Sequence, residues 1–128
     1  MDVRDAVEAD AERLAELTDS PQDVMRNLVH DRTVRVAERD AEIVGFVSYD
    51  AKEETVHVTQ IKGDAAVCDR LLEEPVRFAE SESMTVELLA PESEADTRDA
   101  AEAAGFEDTG AGPRFEGEAT VRYRLRGP

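Results

Sequence analysis

Apolar positions along the chain fall into short segments with two alternating spacings. Val3 opens a short strand, and residues 8–17 follow with Ala11, Leu14, Ala15 and Leu17 on one helical face. A second helix begins at Ser20-Pro21-Gln22-Asp23. There the serine is expected as N-cap, the proline suits the first turn, and Asp23 stands where a capping-box acid would. Val24, Met25, Leu28 and Val29 give this helix its apolar face. The period then changes to two. Residues 33–39 alternate valine with arginine, Asp40-Ala41 turns, and residues 42–49 return, which reads as a hairpin. Its turn lacks the glycine that tight hairpins favour, so some looseness is expected there. Gly45 within the return strand predicts a bulge or a close backbone approach.

A fourth strand covers residues 55–60, with Val56 and Val58 on one face. Gly63 breaks it, and a helix starts at about Asp64. Ala65, Cys68, Leu71, Leu72, Val76 and Ala79 share its apolar face, and Pro75 is expected to kink or split it by removing a backbone donor. Residues 85–89 form a fifth strand. Ser93 is read as the cap of a fourth helix, with Asp96 three residues on and Gly105 at its end. Ala100, Ala101, Ala103 and Ala104 make that helix slim enough to approach a sheet closely. Phe106 begins a short strand, residues 110–117 are a turn-rich loop, and residues 119–125 close the chain as a last strand. With 128 residues, no repeats and no low-complexity linker, residues 1–128 are expected to form one domain.

Charge adds a constraint that the pattern does not contain. The net charge is -16, from 31 acidic against 15 basic residues, and only Lys52 and Lys62 of the latter are lysines. Such a surface repels itself in dilute buffer. In salt near 1 M the Debye length is roughly 3 Å, and the repulsion is largely screened. Acid excess with scarce lysine therefore points to a halophilic, acidic protein, suited to concentrated salt. It also argues against nucleic-acid binding, which needs a basic footprint. No apolar run approaches a membrane span, and the acidic N-terminus has no apolar leader core. Cys68 is the only cysteine, so neither an intrachain disulfide nor a cysteine metal cluster is expected, and no metal site is assigned. A cytoplasmic location, with no membrane partner, is the default expectation.

The order strand, two helices, three strands, helix, strand, helix, two strands resembles the GCN5-related N-acetyltransferases over nearly the whole chain. Residues 36–50 are similar to that family's second and third strands, with a turn and then Val44-Gly45-Phe46. Gln60-Ile61-Lys62-Gly63-Asp64-Ala65 fits its acyl-CoA signature, and Gly105-Phe106 resembles the pair that ends its fourth helix. The resemblance implies an α/β (α+β) fold with a mixed, mostly antiparallel central sheet flanked by helices. It also implies acetyl-CoA as co-substrate and a small-molecule or protein amine as acceptor. A homodimer is left open.

The chemistry explains the signature. Coenzyme A carries a pyrophosphate, and a helix N-terminus offers unpaired N–H groups at a positive dipole end. Gly63 and Ala65 are expected to let the backbone approach phosphate, and Gln60 and Lys62 to add side-chain donors; Val58, Ile61 and Asp64 complete the expected cofactor segment. Asp64 departs from the family by placing a negative charge there, and Val58 and Thr59 stand where the family has a basic residue and a proline. A second departure concerns catalysis. The family often carries a tyrosine four residues before the Gly-Phe pair, and here that position is Ala101. His57, Tyr123, Glu53, Glu54 and Tyr49 are the candidate substitutes, and His57 and Tyr123 are assigned the catalytic role. His57 faces away from Val56 and Val58 and suits a base acting through water, or else is a plain surface histidine. Arg114 and Phe115 are assigned to the acceptor side, the first to hold a carboxylate and the second to wall a pocket. Cys68, on the apolar helix face, reads as a core thiol. Two functions follow from the resemblance: an acetyl-CoA-dependent N-acetyltransferase, or a catalytically silent relative that binds coenzyme A or a protein partner.

Overall fold

A computed structural model describes residues 1–115 and 117–126. The chain runs β1 (Asp2–Asp5), a 3-10 turn (Glu8–Asp10), α1 (Ala11–Thr18), α2 (Gln22–Asp31), β2 (Thr33–Arg39), β3 (Glu42–Lys52), β4 (Thr55–Lys62), α3 (Ala65–Glu82), β5 (Thr85–Pro91), α4 (Ala95–Ala103), β6 (Glu107–Ala111) and β7 (Thr120–Leu125). The strands form one seven-stranded sheet in the order β1-β2-β3-β4-β5-β7-β6. Among the described residues only the β4–β5 pair is parallel; the other pairs are antiparallel. A parallel pair needs a crossover, and α3 supplies it.

Strand alternation sends side chains to two cores, one on each face of the sheet. Val34, Val36 and Phe46 meet Ala11, Leu14 and Met25 of α1 and α2. Val47, Tyr49, Val56, Val58, Val86, Leu88 and Tyr123 meet α3 and α4 on the opposite side, through Val67, Cys68, Leu71, Leu72, Ala100 and Ala101. At the β1 edge, Arg4 grips Asp10 through two nitrogens at 2.8 and 3.1 Å and also pairs with Glu38. The Asp10 carboxylate accepts from the Val7 N–H as well, so the Arg4 guanidinium and this N–H hold its pKa below the ordinary value.

Local expectations meet mixed outcomes. The Asp40-Ala41 turn forms, with both residues left-handed at φ 53 and 64°. The β3–β4 turn repeats this conformation at Glu53 and Glu54, φ 51 and 65°. Gly45 marks both expected features: the β2–β3 register slips beside it at Ala37/Glu38, and a Cβ there would overlap the Lys62 carbonyl and Val67. Neither serine is a cap. Pro21 is the N-cap of α2 and Glu94 that of α4, and neither makes a side-chain cap bond. Pro75 does not split α3, which runs unbroken from Ala65 to Glu82 with Pro75 among its buried residues. A proline in a helix interior costs about 3 kcal/mol or more. Burial of Val67, Cys68, Leu71, Leu72 and Ala79 beside it offsets that cost.

Candidate active site

The site arises where the parallel pair comes apart. β4 and β5 are in register only from Thr55↔Thr85 to Val58↔Leu88. Beyond that point β4 continues against β3 as far as Lys62, and β5 continues against β7 as far as Pro91. A register shift at Ser48/Tyr49 leaves Thr59 as an extra residue, since Tyr49 faces Val58 and Ser48 faces Gln60. Such a bulge bends its strand and increases its twist, which aims the end of β4 away from β5. Thr59 is tied in place by its hydroxyl, 2.6 Å from Ser48 Oγ and donating to the Ser48 carbonyl at 3.1 Å. The bulge also resets the alternation. His57 pairs with Asp50 and Gln60 with Ser48, so both project to the α1/α2 side, although regular alternation would send them to opposite faces.

The gap is a cavity of about 720 Å³. β4 lines it from His57 to Lys62, and β5 with Glu87, Leu88, Leu89 and Pro91. The α1–α2 turn contributes Thr18, Asp19 and Ser20, α4 and its cap contribute Thr97 and Glu94, and the β6–β7 loop contributes Arg114, Phe115 and Glu118. Lys62 and Glu94 form an ion pair across it at 3.2 Å, with side-chain exposures of 41% and 40%. His57 sits in register between Asp50 and Glu87. Both carboxylates are engaged elsewhere, Asp50 with Arg32 and Glu87 with Arg124 at 2.8 Å.

Just past Lys62 the chain turns at Gly63, φ 150°, into α3. A Cβ at Gly63 would collide with the Val67 side chain, so glycine is required by packing within the turn itself. Asp64 is the N-cap of α3: its Oδ1 accepts from the Val67 N–H at 2.9 Å, and the Cys68 N–H bonds to its carbonyl at 2.8 Å. The cap therefore occupies one of the donors at this helix end. The N–H groups of Ala65 and Ala66, both exposed, lie in the first turn, where a helix supplies no acceptor of its own.

The structure brings His57, Val58, Gln60, Ile61, Lys62, Arg114 and Phe115 to one cavity, with Gly63, Asp64 and Ala65 following directly at the start of α3. Arg114 donates to the Gly117 carbonyl at 2.8 Å, and Phe115 is exposed. Tyr123 does not join them. Its ring is buried in the α3/α4 core, its hydroxyl donates to Glu102 at 2.9 Å, and burial followed by the Glu102 carboxylate pushes its pKa up to about 12. Glu53 and Glu54 form the β3–β4 turn, and Tyr49 packs against Phe78 in the core. Of the substitutes considered for the missing tyrosine, only His57 lines the cavity. Ala101 is fully buried in the α3/α4 core. Cys68 is a core thiol whose pKa burial raises to about 11. Sequence reasoning missed Glu94, Thr97, Glu118 and the α1–α2 turn, which only the tertiary fold brings to the cavity. Among the described residues no group of three or more metal-ligating side chains is found, and no helix is long and apolar enough to cross a membrane.

No protein-family model matches the chain, and no curated protein matches it significantly. Solved structures do. A ribosomal-protein-alanine N-acetyltransferase from Brucella melitensis superposes with a TM-score of 0.81 at 17% identity, over 98% of this chain and 99% of that one. The structure of yncA from Salmonella typhimurium with its cofactor acetyl-CoA gives 0.79 at 16% identity, over 98% and 93%. The ribosomal-protein-S18-alanine N-acetyltransferase from Escherichia coli gives 0.79 at 13% identity, over 98% and 92%. The chain thus has the acyl-CoA N-acyltransferase fold of the GCN5-related N-acetyltransferases. Within that fold, the separated β4–β5 pair and the adjoining α3 N-terminus mark out its candidate site.

Proposed function

We infer that the protein is an acetyl-CoA-dependent N-acetyltransferase acting on an amine. The observation that carries this reading is the gap between β4 and β5 opening beside the first turn of α3. The residues suit coenzyme A. The Ala65 and Ala66 N–H groups and the helix dipole meet the pyrophosphate, with Lys62 as the nearby cation. The pantetheine arm lies between β4 and β5, whose separated edges offer unpaired backbone groups, and such an edge N–H polarises the thioester carbonyl. The amine enters from the α1–α2 turn and the β6–β7 loop, where Arg114 and Phe115 contact it. His57 relays the amine proton to water.

One observation favours a second reading, in which the domain binds coenzyme A without transferring its acetyl group. Ala101 is core, and Tyr123 is committed to Glu102, so neither offers an acid to the leaving thiolate. Titrating acetyl-CoA into the folded protein in molar potassium chloride, with free coenzyme A as comparison, tests both. Saturable binding followed by acetylation of any member of a broad amine panel supports the enzyme. Binding without transfer selects the silent module, and no binding refutes both.

A further inference from the structure

Resting on that reading, we propose that the Thr97 hydroxyl is the group that meets the coenzyme A sulphur, as a hydrogen-bond donor in place of the missing phenol. Thr97 is 3% exposed, yet its residue lines the cavity. A threonine in a helix usually closes its hydroxyl onto the carbonyl one turn earlier, as Thr18 does onto Leu14 at 2.8 Å. Thr97 is the third residue of α4, so Ser93, one turn earlier, precedes the helix, and no such bond forms. Its polar contact is the Cys68 sulphur at 4.0 Å, while the Cys68 thiol donates to the Gly63 carbonyl at 3.3 Å. A thiol sulphur is a weak acceptor. The hydroxyl is therefore buried and poorly partnered, on a residue at the edge of the gap, which disfavours a merely structural threonine.

Placement on α4 reinforces this. Glu94, Thr97 and Ala101 succeed one another at spacings of three and four, so they share a helix face. Glu94 at the mouth is bound to Lys62, and Ala101 lies in the core. Thr97, between them, brings to the cavity lining a hydroxyl whose proton is held only by the weak Cys68 sulphur. The step balances without a strong acid. The amine lone pair forms the N–C bond, the C–S bond breaks, and its electron pair goes to sulphur. The amine proton leaves by way of His57 to water. Because a free thiol has a pKa of about 8.5, the thiolate can leave unprotonated, held by Thr97 until it takes a proton from water.

Coenzyme A itself is the probe. The ultraviolet absorbance of its thiolate, titrated against pH while bound, reports any hydrogen bond to sulphur without an acceptor amine. The bound thiol should titrate about one pH unit higher in Thr97→Val than in the wild type, roughly a tenfold loss of thiolate near neutrality. Thr97→Ser should keep the wild-type titration, and Thr97→Ala should repeat the valine result should the valine variant misfold. Equal titration in wild type, valine and alanine variants, each saturated with coenzyme A, overturns the role of Thr97 and leaves the proposed function standing. Failure of the wild type to bind coenzyme A overturns that function and the inference with it.

Discussion

Glu94→Gln should tighten acetyl-CoA binding, because Glu94 holds the cation that the pyrophosphate needs. Lys62 reaches Glu94 at 3.2 Å, and both side chains are about two-fifths exposed. A pair so open to water is worth about 0.2–1 kcal/mol, so releasing Lys62 should improve affinity by about 1.4- to 5-fold. Removing a negative charge from the mouth acts in the same direction. The substitution also removes an acid at the N-terminus of α4, a loss of about 0.3–1 kcal/mol that should appear as a small fall in stability. Isothermal titration should be run at the lowest potassium chloride that preserves the native circular dichroism, and again at 1 M. At roughly 3 Å the Debye length in molar salt is shorter than the pair's reach, so the gain should shrink there. Unchanged or weaker binding at low salt would remove Lys62 from the phosphate site and refute the reasoning.

Ala41→Gly and Glu54→Gly should each stabilise the fold. Left-handed backbone costs a non-glycine residue about 1–2 kcal/mol, and glycine's looser unfolded chain returns about 0.4–1 of it. A net gain of about 0.5–1 kcal/mol, or about 2–5 °C in melting temperature, is the expected reading; a fall in both variants would show that the turns carry no strain. Asp10→Asn should cost about 1–2 kcal/mol in denaturant titration, the half-exposed Arg4 limiting the loss. Because the folded pKa of Asp10 is lowered from 3.8, its contribution is present above that value and fades as pH falls through the folded value. Wild type and variant should therefore converge in acid, and a constant gap would exclude the Arg4–Asp10 pair as its source. The thermal midpoint should climb from low to molar potassium chloride, given the net charge of -16; a flat or falling midpoint would sink the halophilic reading.

Element order was readable because each segment declares its period locally. The β2–β3 hairpin, the Gly45 bulge and the Gly105 helix stop follow from such signals. What could not be read depends on partners remote in sequence. Regular alternation from His57 sends Gln60 to the wrong face, and only the register against β3 exposes the extra residue at Thr59. The same holds for Gly63, whose missing Cβ reads as room for phosphate until Val67 is seen folding back over it. Tyr123 has the right chemistry for a catalytic acid, but its register against Leu88 turns it into the α3/α4 core. Thr97 gave no signal, since a helical threonine is unremarkable until its neighbours are known. Helix caps failed for a smaller reason: Pro21 takes φ -60 and ψ 145°, a conformation that already starts the helix without a serine.

The four-pair seam between β4 and β5 also shapes how the molecule breathes. Backbone pairing across the middle of the sheet stops at Val58↔Leu88, so the strands up to β4 and the β5-β7-β6 group are joined there by one short ladder and by α3 packed over both. The sheet should therefore part along this seam before it melts elsewhere, and its amides should be the first of the central strands to exchange with solvent. A guest wedged into the gap would act as a splint between the two leaves. At a hundredfold excess over its dissociation constant it would add about 2.7 kcal/mol to the folded state, with the gain concentrated along the one line where the protein is thinnest.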